Sequence, residues 1–388
     1  PRDGGLFYWD RTNGLGTRAV ELSTIAGTKT SVPQIAKQVL VSDQDRHVIA
    51  FGCDGFGGSS TATQGSGVQD PLLIRFSSQE NPIDWFPTAT NTAGDLRLGG
   101  GSTFVQAVET KQQILCFTNK TLHAMKFIGP PFTFGLQELS KNITIASPSA
   151  AIAIEDTVFW MGSDTFYVYS GGQTQQLPCT VKEKVFLDFN FEESTKVHAG
   201  VNSEFSEILW FYPTASSTEV DAYVAYNYLE KVWYYGTLAR QAWLDRGIRS
   251  LPLATGGQYL YNHEVGYDDD GSAMSSFVET SPIDIADGEK FAFIKRIIPD
   301  ITFNGSTALS SPNATFTLKA RNFPGVNFTD TDTGTTSRTS TSPVEAFTEK
   351  LDVRVRGRSF ALRVASDALG CKWKLGSPRI DVRQDGRR

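Results

Sequence analysis

At 388 residues the chain is long enough to bury about three quarters of its unfolded surface, so folding requires neither metal nor disulfide. Aromatics at 12% and 35 glycines against 3 methionines fit Gly-punctuated aromatic strands better than a helical bundle. No apolar run approaches the ~18 residues of a membrane-spanning helix, and no secretory leader is visible. The formal charge of −6 is uneven. Residues 351–388 carry ten Lys and Arg against four Asp, a local +6, so the remaining residues carry −12. A basic end on an acidic body suits contact with something anionic, and equally suits a solvated tail.

Pro1 opens the chain without Met, just ahead of the strand-like Leu6–Trp9, which implies that the natural gene product begins earlier. Short β-rich runs then recur, each bounded by Gly, Pro, Asn, Asp or Ser: Gln38–Val41, His47–Phe51, Leu72–Phe76, Phe104–Val108, Gln113–Phe117 and Leu122–Phe127. They continue through Ala150–Ile154, Thr157–Met161, Phe166–Tyr169, Ile208–Tyr212, Tyr223–Tyr228 and Val232–Tyr235. Their order repeats. Val105–Phe127 reads strand, turn, strand, turn, strand; Ala150–Tyr169 repeats that grammar, and Val197–Tyr235 does so with longer turns. Each unit spans roughly 40–50 residues, the length of a four-stranded propeller blade. The predicted fold is therefore all-β, with residues 1–271 forming propeller blades.

From about Ser272 the texture changes. Phe277–Ile285, Phe291–Phe303 and Thr315–Ala320 read as longer strands, residues 326–342 as a polar loop, and Leu351–Val355, Phe360–Val364 and Ile380–Val382 as strands. Residues 272–388 are expected to form a sandwich-like β module; the alternative is that a late strand returns to close the propeller ring. Two packing expectations follow. Trp160 and Trp210, each flanked by apolar residues, should lie buried between strands or blades. Arg354, Arg356 and Arg358 alternate with valines, and strand geometry places all three on one face, an expected interface with an acidic partner.

Chemistry-bearing motifs are sparse. His47, His123, His198 and His263 stand in unrelated contexts, without metal spacing or a nucleophile elbow, and read as structural or surface histidines. Cys53, Cys116, Cys179 and Cys371 form no C-x-x-C pair and read as free, mostly buried thiols in a reducing cytoplasm. The Gly-rich loops 55–67 and 99–101 lack a P-loop ending and read as turns. Asp268–Gly271 and Asp330–Gly334 resemble fragments of calcium loops without the distal Glu, and read as surface acids. Five N-x-[S/T] sequons carry no weight without a leader. Propellers also host glycosidases, but no recognisable arrangement of paired carboxylates or an arginine cluster is present. The expectation is no enzyme, no metal and no cofactor.

Several segments resemble one family. Asn81-Pro-Ile-Asp-Trp85-Phe-Pro-Thr-Ala-Thr-Asn-Thr-Ala-Gly94 is similar to a segment common in tail proteins of short-tailed bacteriophages. So are Phe127–Phe134, Val158–Gly162 with Phe166–Tyr169, Tyr226–Tyr228 with Trp233–Thr237, Val353–Gly357 and Leu375–Val382. In this order they resemble the nozzle, or tail tubular B, component over nearly the whole chain. The resemblance implies a non-enzymatic virion subunit, assembled in the bacterial host cytoplasm, six copies of which ring the tail axis below an adaptor. Such a ring extends and gates the DNA-ejection channel, docks fibres or spikes, and passes double-stranded DNA without reading its sequence. The alternative is a tail-associated carbohydrate-recognition or glycan-hydrolase propeller.

Overall fold

The computed structural model describes residues 2–25, 31–59, 62–247, 249–285, 288–307, 312–323, 326, 328 and 338–386. The chain divides into two units, Pro1–Glu264 and Val265–Arg388.

The first unit opens with a ribbon, β1 (Phe7–Tyr8) and β2 (Val20–Glu21), and a single helical turn, α1 (Leu22–Ile25). Four antiparallel meanders follow. They are β3–β6 (Gln38–Val41, Val48–Phe51, Leu73–Phe76, Gly94–Arg97) and β7–β10 (Phe104–Glu109, Ile114–Thr118, Thr121–Gly129, Thr133–Lys141). The next pair is β11–β14 (Ala151–Ile154, Thr157–Met161, Phe166–Ser170, Gln173–Leu177) and β15–β18 (His198–Asn202, Glu207–Tyr212, Ala222–Asn227, Val232–Thr237). A short helix, α2 (Lys182–Leu187), links the third sheet to the fourth. A three-stranded sheet, β19–β21 (Ala242–Leu244, Leu253–Gly256, Tyr259–Asn262), completes the series.

Within each sheet the strands lie in chain order. The first strands, β3, β7, β11, β15 and β19, run beside one another. Sheets that share an inner strand line and stack face to face are the blades of a β-propeller.

The middle strands show why the sequence folds this way. A blade interior is buried on both faces, so its strands read as unbroken apolar runs rather than as alternation. In β16, Ile208 and Trp210 join the cluster of the third sheet, whereas Leu209 and Phe211 join Trp243 of the fifth. In β12, Val158 and Trp160 pack with Leu115 and Phe117 of the second sheet, and Phe159 and Met161 turn to the fourth. Where inner strands converge, side chains must be small or must bridge. A Cβ on Gly200 would lie 2.5 Å from the Trp243 ring, and Trp243 Nε1 donates to the Val201 carbonyl at 2.8 Å.

Two glutamines stitch the inner strands together. The Gln38 amide donates to the Ala107 carbonyl and accepts from the Ala107 N–H, both at 2.8 Å. Gln106 does the same to Ala151, at 2.8 and 3.0 Å. Each side chain supplies the donor and the acceptor that a backbone ladder would have supplied.

The outermost strands β6, β10 and β14 were not expected from the sequence. They lie at sheet edges, and β14 is Gln-Thr-Gln-Gln-Leu with only its leucine buried, so they carry no continuous apolar run.

The second unit is a two-sheet sandwich beside small ribbons. One sheet has the order β24 (Ser276–Glu279), β31 (Ser359–Ser366), β28 (Asn313–Arg321), β29 (Thr339–Glu345), with β25 (Ile283–Asp284) also on β31. The other is β30 (Leu351–Gly357), β26 (Ala292–Ile298), β33 (Arg379–Gln384). Phe316, Leu318, Leu362 and Val364 pack against Ile294, Ile297, Val353 and Val355 between them.

Among the described residues, every strand from β22 (Asp268–Asp269) onward pairs with another strand of this unit, including the hairpin β22–β23 (Ser272–Ala273) and the ribbon β27 (Ile301–Thr302) with β32 (Lys374–Leu375). The late strands thus build the sandwich instead of returning to the propeller. The division also falls seven residues before the expected one. Tyr267 accepts from Lys372 Nζ at 3.2 Å and the Asp268 carboxylate accepts from the Gly370 N–H, which ties both to the sandwich. The expected strand Phe277–Ile285 is broken into β24 and β25, and the expected polar loop 326–342 runs into β29 at Thr339.

Candidate functional site

The arginine-bearing strand is β30. Leu351, Val353, Val355 and Gly357 are buried and Asp352 and Arg354 exposed, the alternation that its valines and arginines dictate. Arg358 lies just past the strand, so two of the three arginines belong to the row itself. Register extends the row across the sheet: Phe293 of β26 stands between Arg356 and Arg383, and Arg296 between Asp352 and Asp381. Arg356 pairs with the Asp385 carboxylate and lies 4.0 Å over the Phe291 ring; Arg358 lies 4.8 Å from the same ring. A guanidinium over an aromatic face loses little hydration and gains the ring quadrupole, so these two side chains are oriented within the unit. Arg296 is 3.7 Å from Asp381. Lys295, Arg354, Arg379 and Arg383 are exposed and have no ion-pair partner among the described residues. The face can hold carboxylates or phosphates by charge-assisted hydrogen bonds.

Trp160 and Trp210 are fully buried. Trp160 donates to the Thr144 carbonyl at 3.0 Å, stacks on Tyr167 and meets Phe117 edge-on; Trp210 donates to the Ala150 carbonyl at 2.9 Å and packs on Phe166 and Trp233. Both ring N–H groups therefore have the partner that burial requires. Trp85, which carries the clearest of the family-like segments, is also fully buried and donates to the Pro82 carbonyl at 2.7 Å. Asn91 folds that segment on itself, donating to Asp84 and to the Phe86 carbonyl and accepting from the Thr88 N–H.

The four histidines sit apart. His47 contacts Thr92 at 3.2 Å, His123 contacts Thr121 at 2.9 Å, His198 stacks on Phe211, and His263 accepts from Arg240 at 2.9 Å. Burial pulls the first three below the ordinary histidine range. All four cysteines are free; Cys53, Cys116 and Cys371 are buried and Cys179 half-buried. Burial pushes the Cys53 thiol up to about 12 and Cys179 to about 11, away from the thiolate form that reacts. In the loop 55–67, as far as it is described, the buried Asp54 accepts from the N–H groups of Gln34, Ile35 and Gly67. A Cβ on Gly65 would overlap that carboxylate at 2.3 Å. Asp268–Gly271 is the β22–β23 hairpin, and Asp270 and Gly271 have φ of 49° and 82°, which makes it a turn of the kind Asp-Gly favours. Asp330–Gly334 lies outside the described residues.

Two features escaped the sequence reading. Glu207 accepts from Tyr234 at 2.6 Å and Glu264 accepts from Asn202 at 2.9 Å. Burial, then each one's acidic neighbour, raises both carboxyls. They come from places 57 positions apart, so no local motif marks them. An apolar cleft of about 590 Å³ lies between Gly4–Tyr8 and β3, lined by Leu6, Phe7, Tyr8, Val39, Val41 and Val48 among others. Among the described residues no carboxylate lines it. Among the described residues no three His, Cys, Asp or Glu side chains converge to hold a metal ion, and no helix is long and apolar enough to cross a membrane.

Comparison with protein families and with curated proteins returns no match. Solved β-propeller domains do match. The AfRom2 CNH domain aligns at TM-score 0.36 and 11% identity, over 66% of this chain and 74% of that one. Hsv2 of K. marxianus aligns at TM-score 0.35 and 8% identity, over 62% of this chain and 64% of its own. The N-terminal domain of Nup159 aligns at TM-score 0.30 and 8% identity, over 60% and 54%. The chain spans less than two thirds of the latter two.

Proposed function

We propose that this protein is a structural subunit of the nozzle ring of a short-tailed bacteriophage tail, extending and gating the DNA-ejection channel and carrying fibres or spikes. One observation carries the reading: the residues behind the family resemblance are spent on architecture. Trp85 and Asn91 fix a loop, Trp160 sits between blades, Trp233 stacks on Trp210, and Val353 and Val355 fill the sandwich core. A segment whose distinctive side chains are consumed in packing serves a scaffold rather than a reaction. The charge suits a conduit, since the −12 carried by residues 1–350 repels phosphate and lets duplex slide.

The test is imaging of the purified protein and of virions, with native mass measured in parallel. A closed ring coaxial with the tail, six times the 42.5 kDa chain, is the expected result. A monomer or dimer within intact tails, or glycan turnover lost on mutating one carboxylate, would replace this reading.

A further inference from the structure

We propose that the outer face of the β30–β26–β33 sheet is a self-association interface, docking onto an acidic rim on the propeller unit of a second copy of this chain. It rests on the ring proposed above and names the surfaces through which its copies meet; association that survives reversal of these charges overturns the interface and leaves the ring standing.

The rim is built by the turns after the inner strands. Asp43, in the β3–β4 turn, donates its N–H to Glu109 at the end of β7 at 3.0 Å, and the Gln44 amide reaches the Lys111 carbonyl in the β7–β8 turn. Gln112 reaches Asp156 in the β11–β12 turn at 3.4 Å, and Lys111 lies 3.3 Å from Glu155. Three successive turns therefore stand side by side. Among the described residues Asp43, Asp45, Glu109 and Asp156 have no cation within ion-pair distance. Burial, then Asp43 and Asp45, raises the Glu109 carboxyl, as expected where negative charge is uncompensated.

The sheet face has the opposite excess. Among the described residues Lys295, Arg354, Arg379 and Arg383 have no ion-pair partner, while Arg296 and Arg356 are held by Asp381 and Asp385. That arrangement favours a protein partner over DNA. Carboxylates interleaved with cations repel a continuous phosphate backbone, yet can match the rim in one register, because Lys111 and Arg46 stand among its carboxylates. Phe293, between Arg356 and Arg383, supplies the apolar centre that interfaces combine with arginine. Two different patches on one chain make a heterologous contact, which propagates into a ring or a filament.

The experiment uses the full chain, its mass followed by sedimentation from low to high salt. Association at low salt that weakens as salt screens the charges is expected. Arg354→Glu with Arg383→Glu, or Asp43→Lys with Asp156→Lys, should each weaken it at least about tenfold, and all four changes in one chain should restore it. The four side chains are exposed, so circular dichroism should match the parent. Either pair leaving association unchanged, the four-change chain associating no better than the pairs, or a 42.5 kDa monomer at every salt concentration overturns the proposal. Retention of duplex DNA that depends on Arg354 and Arg383, with mass unaffected by their reversal, also overturns it and assigns the face to nucleic acid.

Discussion

Replacing Gln106 with alanine removes one side chain and with it both hydrogen bonds that it makes between two blades. Gln106 is 8% exposed and Ala151 6%, so water cannot readily replace the lost amide. The Ala151 N–H and C=O, now bonded at 3.0 and 2.8 Å, would both be left without partners. Each unsatisfied buried backbone group costs about 1–3 kcal/mol, so the expected loss is about 2–6 kcal/mol. Gln38 makes the same pair of bonds to Ala107, itself 3% exposed, but is half-buried and leaves water a path to the freed groups, so its alanine variant should lose less, about 1–2 kcal/mol. Six of the seven tryptophans lie in residues 1–264, so urea unfolding followed by tryptophan fluorescence reads the propeller unit. Glutamate at position 106 provides a control. Its carboxylate can accept from the Ala151 N–H but repels the Ala151 carbonyl, and protonation supplies the missing donor, so its deficit should shrink as pH falls. A Gln106→Ala variant within about 0.5 kcal/mol of the parent, or indistinguishable from Gln38→Ala, would refute the inter-blade clamp.

Other consequences are equally direct. Trp160→Ala and Trp210→Ala each empty a site closed on both faces, and should cost about 3–5 kcal/mol in the same urea titration. His198 has its folded value pulled below the unfolded one by burial, so the unfolded chain binds the proton more readily. The resulting stability is fully present above about pH 6.5 and is lost as pH falls toward the folded value. His198→Phe keeps a ring over Phe211 without the proton site, so between pH 6.5 and 5 its Tm should fall less than the parent's; an equal fall would remove His198 from the account. Burial of Cys53, Cys116 and Cys371 should protect them from a thiol reagent at pH 8, leaving Cys179 to react slowly; fast modification of all four in folded protein would contradict the packing.

The blades were legible because their middle strands are buried on both sides. Thr157–Met161 and Glu207–Tyr212 are apolar at every interior position, and such runs separated by turns leave few architectures. The sandwich was legible through the longer strands that follow Ser272, and the half-buried character of one of them through Val353 and Val355 alternating with arginines. The outer strands were not: Gln173–Leu177 pairs its backbone along a solvated edge, which any polar sequence can do.

The sequence by itself determined which side chains go inside, since burial of apolar surface is a property of residue type and spacing. It placed Trp160, Trp210 and the faces of β30 without reference to neighbours. Tertiary structure alone decided what meets across the chain. Gln106 reaches Ala151 over 45 positions, Gly200 faces Trp243 over 43, and Asp43 meets Glu109 over 66. A polar side chain looks the same in sequence whether it is solvated or bridges two blades. Only the register of the stacked sheets decides which.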